Sequence, residues 1–265
     1  MKPISRTAFY TCGLRMQDAK RDKSVCGDIF AESLMNEDGR QILESFKDED
    51  GPNAAILSRH RTIDEILRQE LLTNPDLLIV IIGAGFDSRA FRLTGGNWVE
   101  LDEPQIIEHK NGRLPAANCP NKLRRIAMDF SIDSLTEKLK KFLSQSPVVV
   151  VIEGVFMYLD EEVIKELIRH LRQTFPHHKL IGDLINRKFF EEYTKTLHEK
   201  LNGMGASFKF TDDEPEKIFL QNGYRRAKKI SIVEKAVEFG VIQIPVKCFE
   251  NNFEDFTRRQ RDLRF

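Results

Sequence analysis

This sequence predicts a doubly wound α/β fold, in which a parallel sheet is covered by helices on both faces. Three observations carry that prediction. Five short apolar runs punctuate the middle of the chain: Leu77–Gly83, Asn97–Asp102, Leu123–Asp129, Pro147–Glu153 and Lys179–Ile185. Two of them, LLIVIIG and VVVVIE, are nearly continuous rather than alternating, as strands buried on both faces are. Segments of helical period lie between or ahead of them. Ile63, Ile66, Leu67 and Leu71 precede the first run; Leu135, Leu139, Phe142 and Leu143 precede the fourth; Val163, Ile164, Leu167, Ile168 and Leu171 precede the fifth. Strand–helix alternation of this kind builds a sheet between two helical layers.

The chain has 265 residues, enough for a single domain. Residues 1–57 read as a helical, polar region with a loop at Lys47–Asn53. Residues 58–185 form the core, and 186–265 a tail. Within the tail, 186–222 reads as a helical insert broken at Gly203 and Gly205. Arg226–Val233 and Val241–Phe249 have strand composition and are expected to form an antiparallel edge pair. Arg258, Arg259, Arg261 and Arg264 read as a solvated helix end.

Composition removes several function classes. Hydrophobic residues are 41% and charged residues 31%, so neither disorder nor a fibrous repeat is expected. Lys plus Arg equals Asp plus Glu at 41 each, which leaves no overall basic field for nucleic acid. No apolar run approaches the ~20 residues of a membrane helix. The N-terminus MKPISRTAFY lacks the apolar stretch of a secretory signal, so a cytoplasmic protein is expected. Cys12, Cys26, Cys119 and Cys248 show no metal-ligand spacing and read as reduced thiols. His177 and His178 are adjacent and read as loop residues; no metal site is expected.

The sharpest feature is IVIIGAGFDSRAFRL, Ile79–Leu93. A buried strand ends at Gly83, a G-x-G turn follows, and a helix starts near Ser88. Glycines there let backbone approach a ligand, and the helix beyond presents free N–H groups. A tight strand–helix turn alone would look the same. Context favours a ligand. Asp102 ends the second run, 17 residues after Gly85, where an acid can accept both ribose hydroxyls of a nucleoside. Asp129 ends the third run beside Phe130, a pair suited to adenine. Glu153 ends the fourth. Any one of the three could be a helix cap, but the set points to one edge of the sheet.

The turn is hostile to a pyrophosphate. The third glycine of a dinucleotide fingerprint is replaced by Ser88, and Asp87 would repel phosphate. That argues against an NAD-dependent oxidoreductase. A nucleoside with positive charge and no phosphate fits better, and S-adenosylmethionine is one.

The chain resembles the leucine carboxyl methyltransferase family, including its bacterial polyketide O-methyltransferase branch. SRHRTIDEIL (Ser58–Leu67), IIGAGFDSRAFRL (Ile81–Leu93), VELDEPQIIEHK (Val99–Lys110), AMDF (Ala127–Phe130) and IEGVFMYLDEE (Ile152–Glu162) carry the resemblance, with a looser match over Thr7–Ala31. It implies a Rossmann-like methyltransferase sheet, a helical lid from the N-terminus and a helical insert after the fifth strand. It also implies roles. Arg59 would hold the methionine carboxylate, Gly83 and Gly85 would underlie the methionine moiety, and Asp102 would take the ribose. Asp129 and Phe130 would contact adenine. Glu153 would lie by the amino group and sulfonium, Arg15 would be a second basic contact on the lid, and Tyr158 would line the acceptor pocket. The family's D-P-Y-A appears here as Asp28–Ile29–Phe30–Ala31. The C-terminal extension of the phosphatase-methylating members is absent from this sequence, which directs the expectation to a small-molecule acceptor rather than a protein tail.

A methyltransferase needs alignment more than a catalytic triad. A carboxylate acceptor is already ionised at neutral pH, whereas a hydroxyl needs a base. No histidine stands out as that base, so a carboxylate is the expected acceptor. A non-catalytic scaffold would have no use for Arg59, Asp102, Asp129 and Glu153 together. Arg89 and Arg92 are expected to pair with acids such as Asp87, and His109 and Lys110 to lie on an exposed helix face.

Overall fold

The computed structural model describes residues 2–143 and 147–242. Among these, helices α1 (Pro3–Asp18), α2 (Ala31–Leu34), α3 (Glu37–Ser45) and α4 (Asp50–Thr73) come first. Strands and helices then alternate: β1 (Leu78–Ile82), α5 (Arg89–Arg92), β2 (Asn97–Asp102), α6 (Pro104–Arg113), β3 (Lys122–Ala127), α7 (Leu135–Leu139), β4 (Val148–Ile152), α8 (Glu161–Thr174) and β5 (His178–Gly182). Helices α9 (Arg187–Tyr193), α10 (Lys195–Gly203), α11 (Lys217–Gln221) and α12 (Ile232–Glu238) follow.

The five strands pair in parallel in the order β3-β2-β1-β4-β5. All five coincide with the apolar runs of the sequence. Side chains alternate between two cores. Ile79, Ile81, Trp98, Val149 and Val151 face a layer that includes α1, α3 and α4. Leu78, Val80, Ile82, Val99, Leu101, Val150 and Ile152 face α7, α8 and α11. Both faces are therefore dry, and each fully buried aliphatic contributes roughly 1.5–3 kcal/mol. The chain winds from β1 outward through β2 and β3, then returns to the other side of β1 with β4. That reversal opens a crevice at the carboxyl ends of β1 and β4, the usual ligand position in such sheets.

Besides His178, which opens β5 rather than lying in a loop, four sequence expectations need correction. The loop at Lys47–Asn53 is shorter than expected, because α4 begins at Asp50 and places Arg59 mid-helix. Ala54 and Leu57, both buried, extend the helix's apolar stripe upstream. The N-terminal region is not polar throughout: Phe9, Tyr10, Cys12, Leu14 and Met16 of α1 are all buried. Arg226–Val233 forms no strand. The Ser231 side chain accepts from the Glu234 N–H and starts α12, which buries Ala236. Residues 243–249, and the four terminal arginines, lie outside the described residues.

The fourth correction concerns His109 and Lys110. Lys110 is fully buried, its Nζ 2.7 Å from Glu100 Oε2 on β2. Arg125 of β3 lies 2.9 Å from the same oxygen. The His109 ring lies between Phe9 and Phe86, with Nε2 2.8 Å from the Leu34 carbonyl oxygen. Helix α6 thus turns this charged face inward, where Glu100 must be neutralised. We expect Lys110→Met to destabilise the fold by about 3 kcal/mol, since it leaves a buried carboxylate short of a cation. Urea unfolding measures this; a change near zero would mean that Arg125 alone suffices.

Candidate active site

The crevice opens into a cavity of about 2470 Å³ that reaches from α1 to α12. Small-molecule sites typically occupy ~300–1,000 Å³, so there is room for two ligands. Its floor is the turn after β1. Gly83 and Gly85 both have positive φ, 69° and 46°. The Gly83 and Ala84 N–H groups donate to the Leu101 carbonyl, tying the turn to the end of β2. A Cβ on Gly83 would lie 2.5 Å from a Val155 methyl.

Asp102 closes the same end. Its Oδ2 accepts from the Gly85 N–H at 2.6 Å and its Oδ1 from the Glu103 N–H at 2.7 Å. The side chain lines the cavity with no ion pair among the described residues. Burial pushes this carboxyl up to about 6, against the two N–H bonds that lower it. Glu103, beside it, also lines the cavity and pairs with Lys2 at 2.9 Å. Glu100, two strand positions away on the same face, is buried with Lys110 and Arg125 and cannot serve as a substitute for Asp102.

Arg59 projects from α4 into the crevice. Its Nε donates to Glu153 Oε1 at 3.0 Å and its Nη1 to Asp183 Oδ2 at 2.8 Å. Its Nη2 makes no hydrogen bond with the described residues, and Gly154 keeps the space beside it open: a Cβ there would come within 3.1 Å. Asp183 Oδ1 accepts from the Gly154 N–H at 2.7 Å. Glu153 is partly buried, and that desolvation raises its carboxyl, yet Arg89, His60 and Arg59 together hold it well below the usual range.

Arg15 reaches the turn from α1. It donates to the Phe86 carbonyl at 2.8 Å and to Asp28 at 2.9 Å. Tyr158 lines the cavity with its ring edge-on to Phe208, and burial pushes its hydroxyl up to about 12. Phe130 lines the cavity too, and is 43% exposed. Asp129 does not line it. Its Oδ1 accepts from Ser131 and from Lys2, so the contact expected for adenine's amino group is already taken up within the protein.

Two cavity residues escaped the sequence reading. Asp183 follows β5, so a fourth acid after a strand end was in view within the run Lys179–Ile185. His60, next to Arg59 on α4, points inward, 3.4 Å from Glu153 Oε2. His60, Asp87 and Glu153 converge closely enough to suggest a metal. The Arg89 guanidinium already neutralises that cluster, bonding Asp87 and lying 2.8 Å from Glu153. As expected from sequence, Arg89 and Arg92 both pair with acids, Arg92 with Asp64 at 2.6 Å.

The fold and site together define a Rossmann-like cofactor-binding protein, with a glycine turn and strand-end acids at the switch point. A family model for leucine carboxyl methyltransferase matches residues 8–172, more than half of the chain, and the chain belongs to that family. Tetracenomycin polyketide synthesis O-methyltransferase TcmP of Streptomyces glaucescens is 28% identical over 178 residues, covering 63% of this chain and 62% of that protein. A candidate S-adenosyl-L-methionine-dependent methyltransferase of Parafrankia sp. (strain EAN1pec) is 28% identical over 182 residues, 62% of this chain and 57% of the relative. The chain thus spans less than two thirds of the length of these curated relatives. The crystal structure of a DUF574 family protein from Streptomyces avermitilis MA-4680 superposes with a TM-score of 0.53 at 13% identity, covering 76% of this chain and 83% of that one, and shares its fold.

The turn's geometry yields a prediction. Gly83→Ala should cost about 1–3 kcal/mol. Roughly 1–2 kcal/mol comes from the left-handed backbone and the remainder from displacing Val155. Adding Val155→Ala should recover only the second part, as measured by urea unfolding. Full recovery would mean that φ at Gly83 carries no strain.

Proposed function

We propose that the chain is an S-adenosylmethionine-dependent O-methyltransferase that acts on a carboxylate of a small molecule. One observation carries this reading: Asp102, Arg59 and Glu153 meet around the Gly83–Gly85 turn in a single cavity large enough for cofactor and acceptor. The residues suit the cofactor. Asp102 is a buried carboxylate without a cation, ready to accept ribose hydroxyls. The Nη2 of Arg59 is a free donor for the methionine carboxylate. Glu153 and Asp183 supply negative charge for the ammonium and sulfonium, and Phe130 offers a ring to adenine. Helix α1, held by Arg15, acts as the lid, and the insert α9–α10 completes the acceptor side. The chain works as one domain in the cytoplasm, in keeping with free thiols at Cys12 and Cys26. Among the described residues, no helix is long and apolar enough to cross a membrane.

When bound, the cofactor supplies an electrophilic methyl group on a sulfonium. The protein's work is then to align and to exclude water, which is worth at most ~7–11 kcal/mol. Tyr158, Thr7, Leu197 and Phe208 wall the acceptor side. A base is not available from His60: burial and Arg89 hold its pKa down, and both ring nitrogens lie against arginines. Tyr158 keeps its proton at neutral pH. His170, also on the cavity wall, belongs to α8 on the other face of the sheet and bonds Thr136. A carboxylate acceptor needs no base, and that favours it over a hydroxyl. The test is transfer of labelled methyl to a metabolite extract. An ester releases labelled methanol in mild alkali; label that survives alkali would exclude the carboxylate.

Arg59→Ala should weaken S-adenosylhomocysteine by roughly 10- to 150-fold, the loss of a charge-assisted bond of ~1.5–3 kcal/mol. It should leave adenosine binding unchanged, because adenosine has no carboxylate. Asp102→Asn should weaken both. Calorimetry separates the two variants, and adenosine binding spared in Asp102→Asn would move the ribose role to Glu103.

Asp102 also sets a pH dependence. Its folded pKa lies above its unfolded value, so its contribution to stability is complete below pH about 4 and is lost as pH rises through about 6. The ionised form is what accepts ribose hydroxyls. Affinity for S-adenosylhomocysteine should therefore fall as pH drops below about 6, and Asp102→Asn should flatten that profile. A wild-type profile flat from pH 7.5 to 5 would count against the assignment.

A further inference from the structure

We infer that Arg89, steadied by His60, is the positioning residue of this site: it holds the Glu153 carboxylate in place against the glycine turn. The inference rests on the methyltransferase reading for what Glu153 does, and on geometry alone for how Glu153 is held. Arg89 is fully buried at the start of α5 and does not line the cavity.

Each nitrogen of its guanidinium is engaged. Nε donates to Asp64 Oδ1 at 2.6 Å. Nη1 donates to Asp87 and lies 2.8 Å from Glu153 Oε2. Nη2 donates to the His60 carbonyl at 2.9 Å and lies 2.8 Å from His60 Nδ1. These partners come from three segments: α4, the turn after β1, and the end of β4. One planar group thus fixes the relative positions of the three elements that form the crevice.

Glu153 is gripped from two sides. Arg59 takes Oε1 from the cavity side and Arg89 takes Oε2 from behind. A carboxylate held by Arg59 alone could swing with that side chain when Arg59 engages a ligand. His60 braces the arrangement through one ring nitrogen: a neutral imidazole accepts either from Arg89 at Nδ1 or from Arg92 at Nε2, each at hydrogen-bond distance, but not from both. Lysine cannot replace this fork, because an ammonium is a point donor that cannot span three segments.

The test is calorimetry with S-adenosylhomocysteine on wild type, Arg89→Lys, Glu153→Gln and the double variant, with circular dichroism as the check on folding. We expect each single change to weaken binding about 10-fold, the scale of coupling within one charged network. The double variant should bind no more weakly than the worse single, because Arg89 acts through Glu153. Wild-type affinity in folded Arg89→Lys, or losses that multiply in the double variant, would overturn the inference. If Arg89→Lys does not fold, His60→Asn takes its place; a three- to ten-fold loss is expected, and wild-type affinity would overturn it. If wild type fails to bind S-adenosylhomocysteine, the functional reading fails instead. The positioning claim is then decided by crystal structures of the folded variant and wild type: a Glu153 carboxylate displaced in the variant supports it, and one unmoved refutes it.

Discussion

Acids gathered at the carboxyl edge of a parallel sheet must be neutralised, and much of this structure follows from that constraint. Adjacent strands lie about 4.8 Å apart, so acids at or just past successive strand ends share one low-dielectric crevice. Asp102, Glu153 and Asp183 stand there, with Asp87 on the turn between. Burying such charges unpaired is costly, and Asp102, the one without a paired cation among the described residues, has its carboxyl pushed up to about 6 as a result. Among the described residues the strands supply no cation at this edge, so the helices bring them: Arg59 from α4, Arg89 from α5 and Arg15 from α1. The register of α4 is dictated accordingly, since Arg59, His60 and Asp64 must all reach the same cluster.

The N-terminal helices belong to the site for the same reason. Burial raises the Asp28 carboxyl, but Arg15 and Arg92 outweigh it and hold it at about 2. Asp28 also accepts from Ser88 Oγ at 2.6 Å. The segment after α1 is thereby tied to the turn after β1 by buried charge as well as by apolar contact. Movement of α1 must break or carry this link, which couples access to the cavity to the turn beneath it.

The strands were legible because a doubly covered sheet writes itself as continuous apolar runs. The glycine turn and Asp102 were legible because each sits at a fixed offset from such a run. Other features depend on direction, which periodicity does not encode. Lys110 looks like a surface lysine until Glu100 is known to face inward beneath α6. His60 adjoins Arg59 in sequence yet points back toward Arg89. Asp129 ends its apolar run as Asp102 does, but it lies two residues past β3, and Ser131 and Lys2 draw its carboxylate aside. Arg226–Val233 has strand composition, but the serine cap at Ser231 and a buried Ala236 favour a helix.

Counting the inner cluster gives a last constraint on the chemistry. Asp28, Asp64, Asp87, Asp102, Glu153 and Asp183 face Arg15, Arg59, Arg68, Arg89 and Arg92, while the depressed His60 stays neutral. With all six acids ionised, the cluster carries one negative charge in excess. A cofactor with a net positive charge relieves that excess; an anionic acceptor arriving alone would meet it. On the proposed reading, the sulfonium therefore admits the carboxylate as well as reacting with it. Transfer then cancels both charges at once, which removes the attraction that brought the acceptor in. The uncompensated charge is thus part of the site's design for a cation, and the site does not need a base to complete the reaction.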